Sequence, residues 1–257
     1  MKVVPSKSLN YVELGDPGRP TVVLLHGMGV GHRMWQPQLA PLSERYHVIA
    51  PDLPGNAGSI ASGPFTMTGA ASATLDLLRE RGRETAHLCG LSDGAPVALQ
   101  MYLIEPSRVA SLILSGSPPP TGHPFLMMIP RIILAALPLD TLLNLLFKDI
   151  PSTYEELVEA MKGDMRRAGK QGLSAMLKEA GSIRLRGHLR QINVSTLVLC
   201  RSKDGLGERK AAQELAASIP HAELQIIPEA GHIWNLERPE LFTQILLDFV
   251  QKVEVTA

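Results

Sequence analysis

The chain has 257 residues, with 25 Lys and Arg balanced by 25 Asp and Glu, so it lacks the basic excess that nucleic acid or an anionic surface selects. Aromatic residues make up only 4%, too few for stacking platforms along single-stranded nucleic acid. The two cysteines, Cys89 and Cys200, each end an apolar run and exclude a disulfide framework.

Taken in order, the first seven residues hold no long apolar core of a signal peptide, and a cytoplasmic location is expected. Val3-Val4 and Tyr11 to Leu14 read as a small antiparallel hairpin, turned by Asp16-Pro17-Gly18. Thr21-Val22-Val23-Leu24-Leu25 is a continuous apolar run, the pattern of a strand covered on both faces. A helix is expected from Met34 to Ser43, then a strand at Val48 to Ala50. Thr66 to Arg81 reads as a helix with apolar positions at Ala70, Ala73, Leu77 and Leu78. Ala86 to Cys89 is a buried strand and Pro96 to Leu103 a helix, which Glu105-Pro106 stops. Further strands are expected at Ala110 to Leu114, Thr196 to Cys200 and Leu224 to Ile227. Glu208 to Ser218 is helical, and Leu236 to Val250 closes the chain as an amphipathic helix. Alternating strands and helices predict a mostly parallel sheet with helices on both faces.

Residues 118–190 interrupt that rhythm after Pro118-Pro119-Pro120, and show helical stretches without a strand. The division expected is a core of 1–117 and 191–257 with a helical cap at 118–190. Phe125 to Phe147 is strongly apolar, but Pro130, Arg131, Pro138, Asp140 and Asn144 leave no clean run of the roughly 20 residues a membrane span needs. Pro130 and Pro138 should cut it into short helices. Apolar on more than one side, these helices should be buried all round, against core or ligand. They read as a lid over an apolar pocket, with plain core packing as the alternative.

The chemistry centres on Gly90-Leu91-Ser92-Asp93-Gly94. A serine between a strand and a helix sits on a tight turn that presents its hydroxyl at the carboxyl edge of the sheet. Such a hydroxyl needs a base, and the base an orienting acid. His232 follows the last strand, and Asp204 follows the strand before it. Ser92, Asp204 and His232 are therefore the expected nucleophile, acid and base, all in loops after strands. The N–H groups of Met28, in His26-Gly27-Met28-Gly29, and of Asp93 are the natural donors to an oxyanion. Candidate pocket residues are His26, Gly27, Trp35, Met127, Leu137 and Trp234. No metal-ligand spacing is visible, and no metal or cofactor is expected.

His26-Gly27-Met28-Gly29, Pro51-Asp52-Leu53-Pro54-Gly55, the Ser92 pentapeptide, Asp204 and Gly231-His232 together resemble the motifs of the α/β-hydrolase superfamily, in its order. The chain is most similar to its small capped branch. The resemblance implies an eight-stranded sheet with only the second strand antiparallel, and a helical cap. The sequence departs from the pattern at Asn56-Ala57-Gly58-Ser59, where histidine and glycine usually follow Pro-Gly, at Ala95 and at Ser195. The implied sheet order also separates the strands of Cys89 and Cys200 by one strand, so two free thiols are expected. The activity expected is hydrolysis of an ester of a largely apolar acid or alcohol, by a monomer or homodimer. The alternatives are cleavage of a lactone or carbon–carbon bond, non-hydrolytic cyclisation, or a receptor with little turnover. The bases of the late insertion suit a carrier protein less well than a solvated helix face, because acids are interspersed with them.

Overall fold

The computed structural model describes residues 2–5, 9–122, 124–202 and 205–256. Eight strands form one sheet: β1 (Lys2–Pro5), β2 (Asn10–Leu14), β3 (Thr21–Leu25), β4 (His47–Pro51), β5 (Ala86–Leu91), β6 (Val109–Ser115), β7 (Thr196–Arg201) and β8 (Ala222–Ile227). Their spatial order is β1-β2-β4-β3-β5-β6-β7-β8. The strand β2 is antiparallel to both its neighbours, and the pairs from β4 onward are parallel. β3, β4, β5 and β7 are buried along their whole length, which is why their sequences run apolar without alternation. β8 is the exposed edge. β6 lies between β5 and β7, and both cysteines are free and buried, as expected.

The covering helices are α1 (Gln36–Ser43), α2 (Met67–Glu80), α3 (Gly94–Ile104), α4 (Pro124–Ala136), α5 (Leu139–Leu146), α6 (Glu155–Ser182), α7 (Leu206–Ser218), α8 (Trp234–Glu237) and α9 (Pro239–Thr256). The Thr66 side chain accepts a hydrogen bond from the Gly69 N–H at 3.0 Å and so starts α2. α3 is buried almost all round, as a helix between sheet and α2 must be. A short 3-10 turn at His32–Trp35 precedes α1, so the expected single helix from Met34 is two pieces. The closing helix likewise begins earlier and divides at Pro239, which takes the first position of α9.

Between β6 and β7 the described residues are helical, in α4, α5, α6 and short turns. Two expectations fail here. Pro130 lies inside α4 without ending it, and only Pro138 separates two helices. The apolar stretch is not buried all round: Phe125, Ile129, Ile132 and Leu145 are 81, 61, 58 and 62% exposed. Leu134, Leu143 and Phe147 alone of its large apolar groups whose side chains are described are fully covered. The sequence requirement for burial was satisfied on one side of each helix and left open on the other. Among the described residues, no helix is long and apolar enough to cross a membrane.

Candidate active site

Ser92 joins β5 to α3 with φ +54°, a left-handed conformation that a side chain adopts only when its surroundings enforce it. Two bonds hold it there: its N–H donates to the Ser115 carbonyl at 2.8 Å, and its carbonyl accepts from the Ala95 N–H at 3.0 Å. The flanking glycines are sterically required. A Cβ on Gly90 would lie 2.2 Å from the Gly94 carbonyl oxygen, and one on Gly94 would lie 2.1 Å from that of Leu25. The turn is thus a place where three backbones touch.

The loop after β3 comes up beside it. A Cβ on Gly27 would stand 3.4 Å from the Ser92 Cβ, which brings Met28 against the serine. This loop is tied down by side chains behind it. The Gly29 N–H donates to Asn56 Oδ1 at 2.9 Å, and Asn56 Nδ2 donates to the Pro54 carbonyl at 2.9 Å. The departure at Asn56 therefore falls on a buried bracket for the loop. His26 is fully buried; its Nδ1 faces the Gly27 carbonyl at 2.7 Å and its Nε2 accepts from the Leu53 N–H at 2.8 Å. Burial lowers its pKa from the ordinary value, consistent with a neutral ring. Asp52 accepts from the His32 N–H and ring Nδ1 at 2.6 and 2.8 Å, and from Asn10 Nδ2 and the Gly58 N–H at 2.6 and 3.0 Å. Burial pushes this carboxyl upward, but His32 and its hydrogen bonds outweigh that and hold it at about 2.

Asp93 is buried at the start of α3, and its Oδ2 has no hydrogen-bond partner among the described residues. Burial, reinforced by the charge of Glu179, raises its carboxyl to about 7. His232 follows β8 on an exposed loop. Its Nδ1 lies 3.0 Å from Arg201 Nη1, which also donates to the His232 carbonyl at 2.9 Å. Trp234 anchors the same loop through an indole N–H donated to Ser115 Oγ at 2.9 Å. Ser202 Oγ accepts from the Glu229 N–H at 2.7 Å and links the loops after β7 and β8. Asp204 lies outside the described residues.

Ser92 and His232 line one cavity of about 140 Å³. Its core side is Gly27, Met28, Val30, Met34, Leu91 and Ile233, and its outer side is Leu146 and Phe147 at the end of α5 with Met161 and Met165 of α6. Larger hollows of about 290 and 340 Å³ lie elsewhere, one by Ser195 and His221, one by Pro37 and Tyr154, and neither contains these groups. Of the expected pocket residues only Gly27 is a wall. Trp35, Trp234 and His26 are fully buried supports behind it. Met127 packs beside Gly181, and Leu137 is 42% exposed on the outside. The walls Phe147, Met161 and Met165 were missed, because periodicity identifies an apolar face without saying what it meets. Arg201 was missed as well; its signal is a lone charge closing the buried run Thr196 to Cys200. Among the described residues, no group of three or more His, Cys, Asp or Glu is placed to hold a metal.

The sequence matches the alpha/beta hydrolase family over residues 22–245. The chain belongs to that family. A relative from Pseudomonas putida, 2-hydroxy-6-oxononadienedioate/2-hydroxy-6-oxononatrienedioate hydrolase 2, is 30% identical over 95% of this chain and 91% of its own. The 3-oxoadipate enol-lactonase 1 of Acinetobacter baylyi is 24% identical over 96% of this hydrolase and 95% of its own length. Among solved structures, the enol-lactonase from Burkholderia xenovorans LB400 superposes with a TM-score of 0.82 at 22% identity, covering 97% of this chain and all of that one. The shared fold is the eight-stranded sheet described above.

Proposed function

We propose that this hydrolase cleaves the acyl C–O bond of a small, largely apolar carboxylic ester through an acyl-enzyme on Ser92. The observation that carries the reading is a serine held at φ +54° on the floor of an apolar cavity that His232 also lines. Ser92 attacks the carbonyl while His232 takes the hydroxyl proton and returns it to the leaving alcohol. Asp204 orients the imidazole. The Met28 and Asp93 N–H groups stabilise the oxyanion. Water then repeats the sequence and frees the acid. The helices between β6 and β7 act as the cap, since Leu146, Phe147, Met161 and Met165 supply one side of the cavity.

The relatives named for an enol-lactonase support a close variant, in which the ester is internal and the alcohol stays attached. The same serine, base and oxyanion donors serve both. The cavity, at about 140 Å³, is below the several hundred Å³ usual for ligand sites. With these walls, it takes an acyl chain of a few carbons.

The test is hydrolysis of nitrophenyl butyrate by the wild type and by Ser92→Ala, with intact mass after a rapid quench. The expected result is a mass increase of one butyryl group on the wild type, absent from the variant, and a loss of kcat of at least ~10³-fold. Undiminished turnover by a folded Ser92→Ala protein overturns the proposal. A parallel panel of small lactones and vinylogous diketones separates ring opening and carbon–carbon cleavage from ester hydrolysis.

A further inference from the structure

We propose that the outer side of α4, together with the end of α5, docks on an anionic lipid surface. On α4, Phe125, Met128, Ile129, Ile132 and Ile133 recur at helical spacing and are 81, 48, 61, 58 and 42% exposed. That is one continuous stripe, extended by Leu145 and Leu146 on α5. The opposite side of α4 is already used: Leu134 is buried and Met127 packs beside Gly181. The helix is therefore amphipathic in the reverse sense, with a covered inner side and an apolar outer side. An apolar stripe of this extent on a folded surface marks a docking site.

The charges beside the stripe identify what it meets. Residues 118–190 hold ten Lys and Arg against seven Asp and Glu, in a chain whose total is zero. The bases of α6 reach back along the stripe: Lys170 Nζ donates to the Ala135 carbonyl at 3.1 Å, and Lys162 Nζ to Asn144 Oδ1 at 2.9 Å. Arg131 lies within α4 itself, and exposed Lys148 follows α5. The neighbouring acids are engaged inside the fold. Asp140 pairs with Arg166, Glu159 with Lys162 and Arg166, and Asp164 is buried against Arg167. An apolar helix face flanked by bases is the pattern of a helix lying in a bilayer interface, where the bases meet lipid phosphates. A second copy fits less well, because a two-fold contact would bring like-charged flanks together. Leu146 is 38% exposed on this stripe and also walls the Ser92 cavity. A surface docked here thus covers the cavity's outer rim.

The experiment is vesicle flotation of the whole protein at low salt, with phosphatidylglycerol–phosphatidylcholine vesicles or phosphatidylcholine alone. Binding is read as protein recovered with lipid, so it needs no turnover and stands apart from the ester proposal. The expected result is flotation with anionic vesicles, at least tenfold weaker with neutral ones and weakened by salt. Ile129→Ser with Ile132→Ser should weaken it at least tenfold while leaving melting temperature and hydrolysis of a soluble ester unchanged. Arg131→Glu with Lys148→Glu should abolish the preference for anionic lipid. No flotation, equal binding to both vesicles, or binding indifferent to the Ile pair overturns the proposal. So does a solution dimer that the Ile pair dissolves, since a second copy would then own the stripe.

Discussion

The turn at Ser92 and the helices between β6 and β7 use similar residue types under opposite constraints. At the turn, three backbones meet within van der Waals distance, and almost every atom has one permitted position. In α4 and α5, large aliphatic side chains cover the inner side and are equally abundant on the outer side. The difference teaches what fixes a site. Close approach of backbones determines the nucleophile's position; apolar composition alone determines only that a helix has something to bury.

Glycine substitutions give the sharpest contrast. Gly90→Ala should cost roughly 3 kcal/mol or more, because its Cβ would press on backbone that cannot yield. For a chain of this size that is a fall of roughly 6–12 °C in melting temperature. Gly163→Ala in α6, where a Cβ meets nothing nearer than an Arg167 nitrogen at 3.9 Å, should stabilise by about 0.5–1 kcal/mol. Equal effects in thermal melts would break the comparison.

Asp93 offers the next effect. Its folded pKa, about 7, lies above the model value of 3.8 for an unfolded chain, so the folded protein holds a proton that the unfolded one releases. Its contribution is complete below about pH 4, falls as pH rises to about 7, and is then lost. Asp93→Asn should remove this slope and exceed the wild type at pH 8 by on the order of 2–4 kcal/mol. Denaturant melts at pH 4.5 and pH 8 check this; parallel curves for the two proteins would place the Asp93 carboxyl in contact with solvent.

The cavity walls supply a smaller effect. Each methylene buried contributes about 0.8 kcal/mol, so kcat/KM for nitrophenyl esters should rise about fourfold per carbon from acetate to butyrate. Beyond the length the cavity accepts, it should fall. A continued rise to decanoate would mean that Leu146 and Phe147 move aside. Smallest of all, Ile132→Ala should change stability by no more than about 0.5 kcal/mol, as expected for an exposed position. A loss in the range typical of a buried isoleucine would show that α4 is covered in solution.

What the sequence revealed follows the same division. The strands were legible because burial on both faces leaves unbroken apolar runs, as in Thr21–Leu25 and Thr196–Cys200. Ser92 and its glycines were legible because the turn admits few residues. His232 was legible through its place after the last strand, although Arg201 beside it was not. The pocket walls were misassigned for a physical reason: Trp35, Trp234 and His26 are large or polar enough to attract suspicion, yet their bulk and hydrogen bonds serve to brace loops. The outward stripe of α4 was illegible, since a stripe has no sign until its neighbours are known.

The His26 ring sets an acid limit on the machinery. It holds the loop after β3 against Leu53 only while one nitrogen accepts a proton-bearing partner, so the clamp works in the neutral state alone. Its pKa is lowered by burial, so the folded protein resists protonation that the unfolded chain accepts, and the clamp weakens as pH falls below about 6.5. Acid would then slacken the shelf that carries the Met28 N–H before it dissolves the sheet. The molecule carries a proton-operated fuse next to its nucleophile, built from a residue that never touches the substrate.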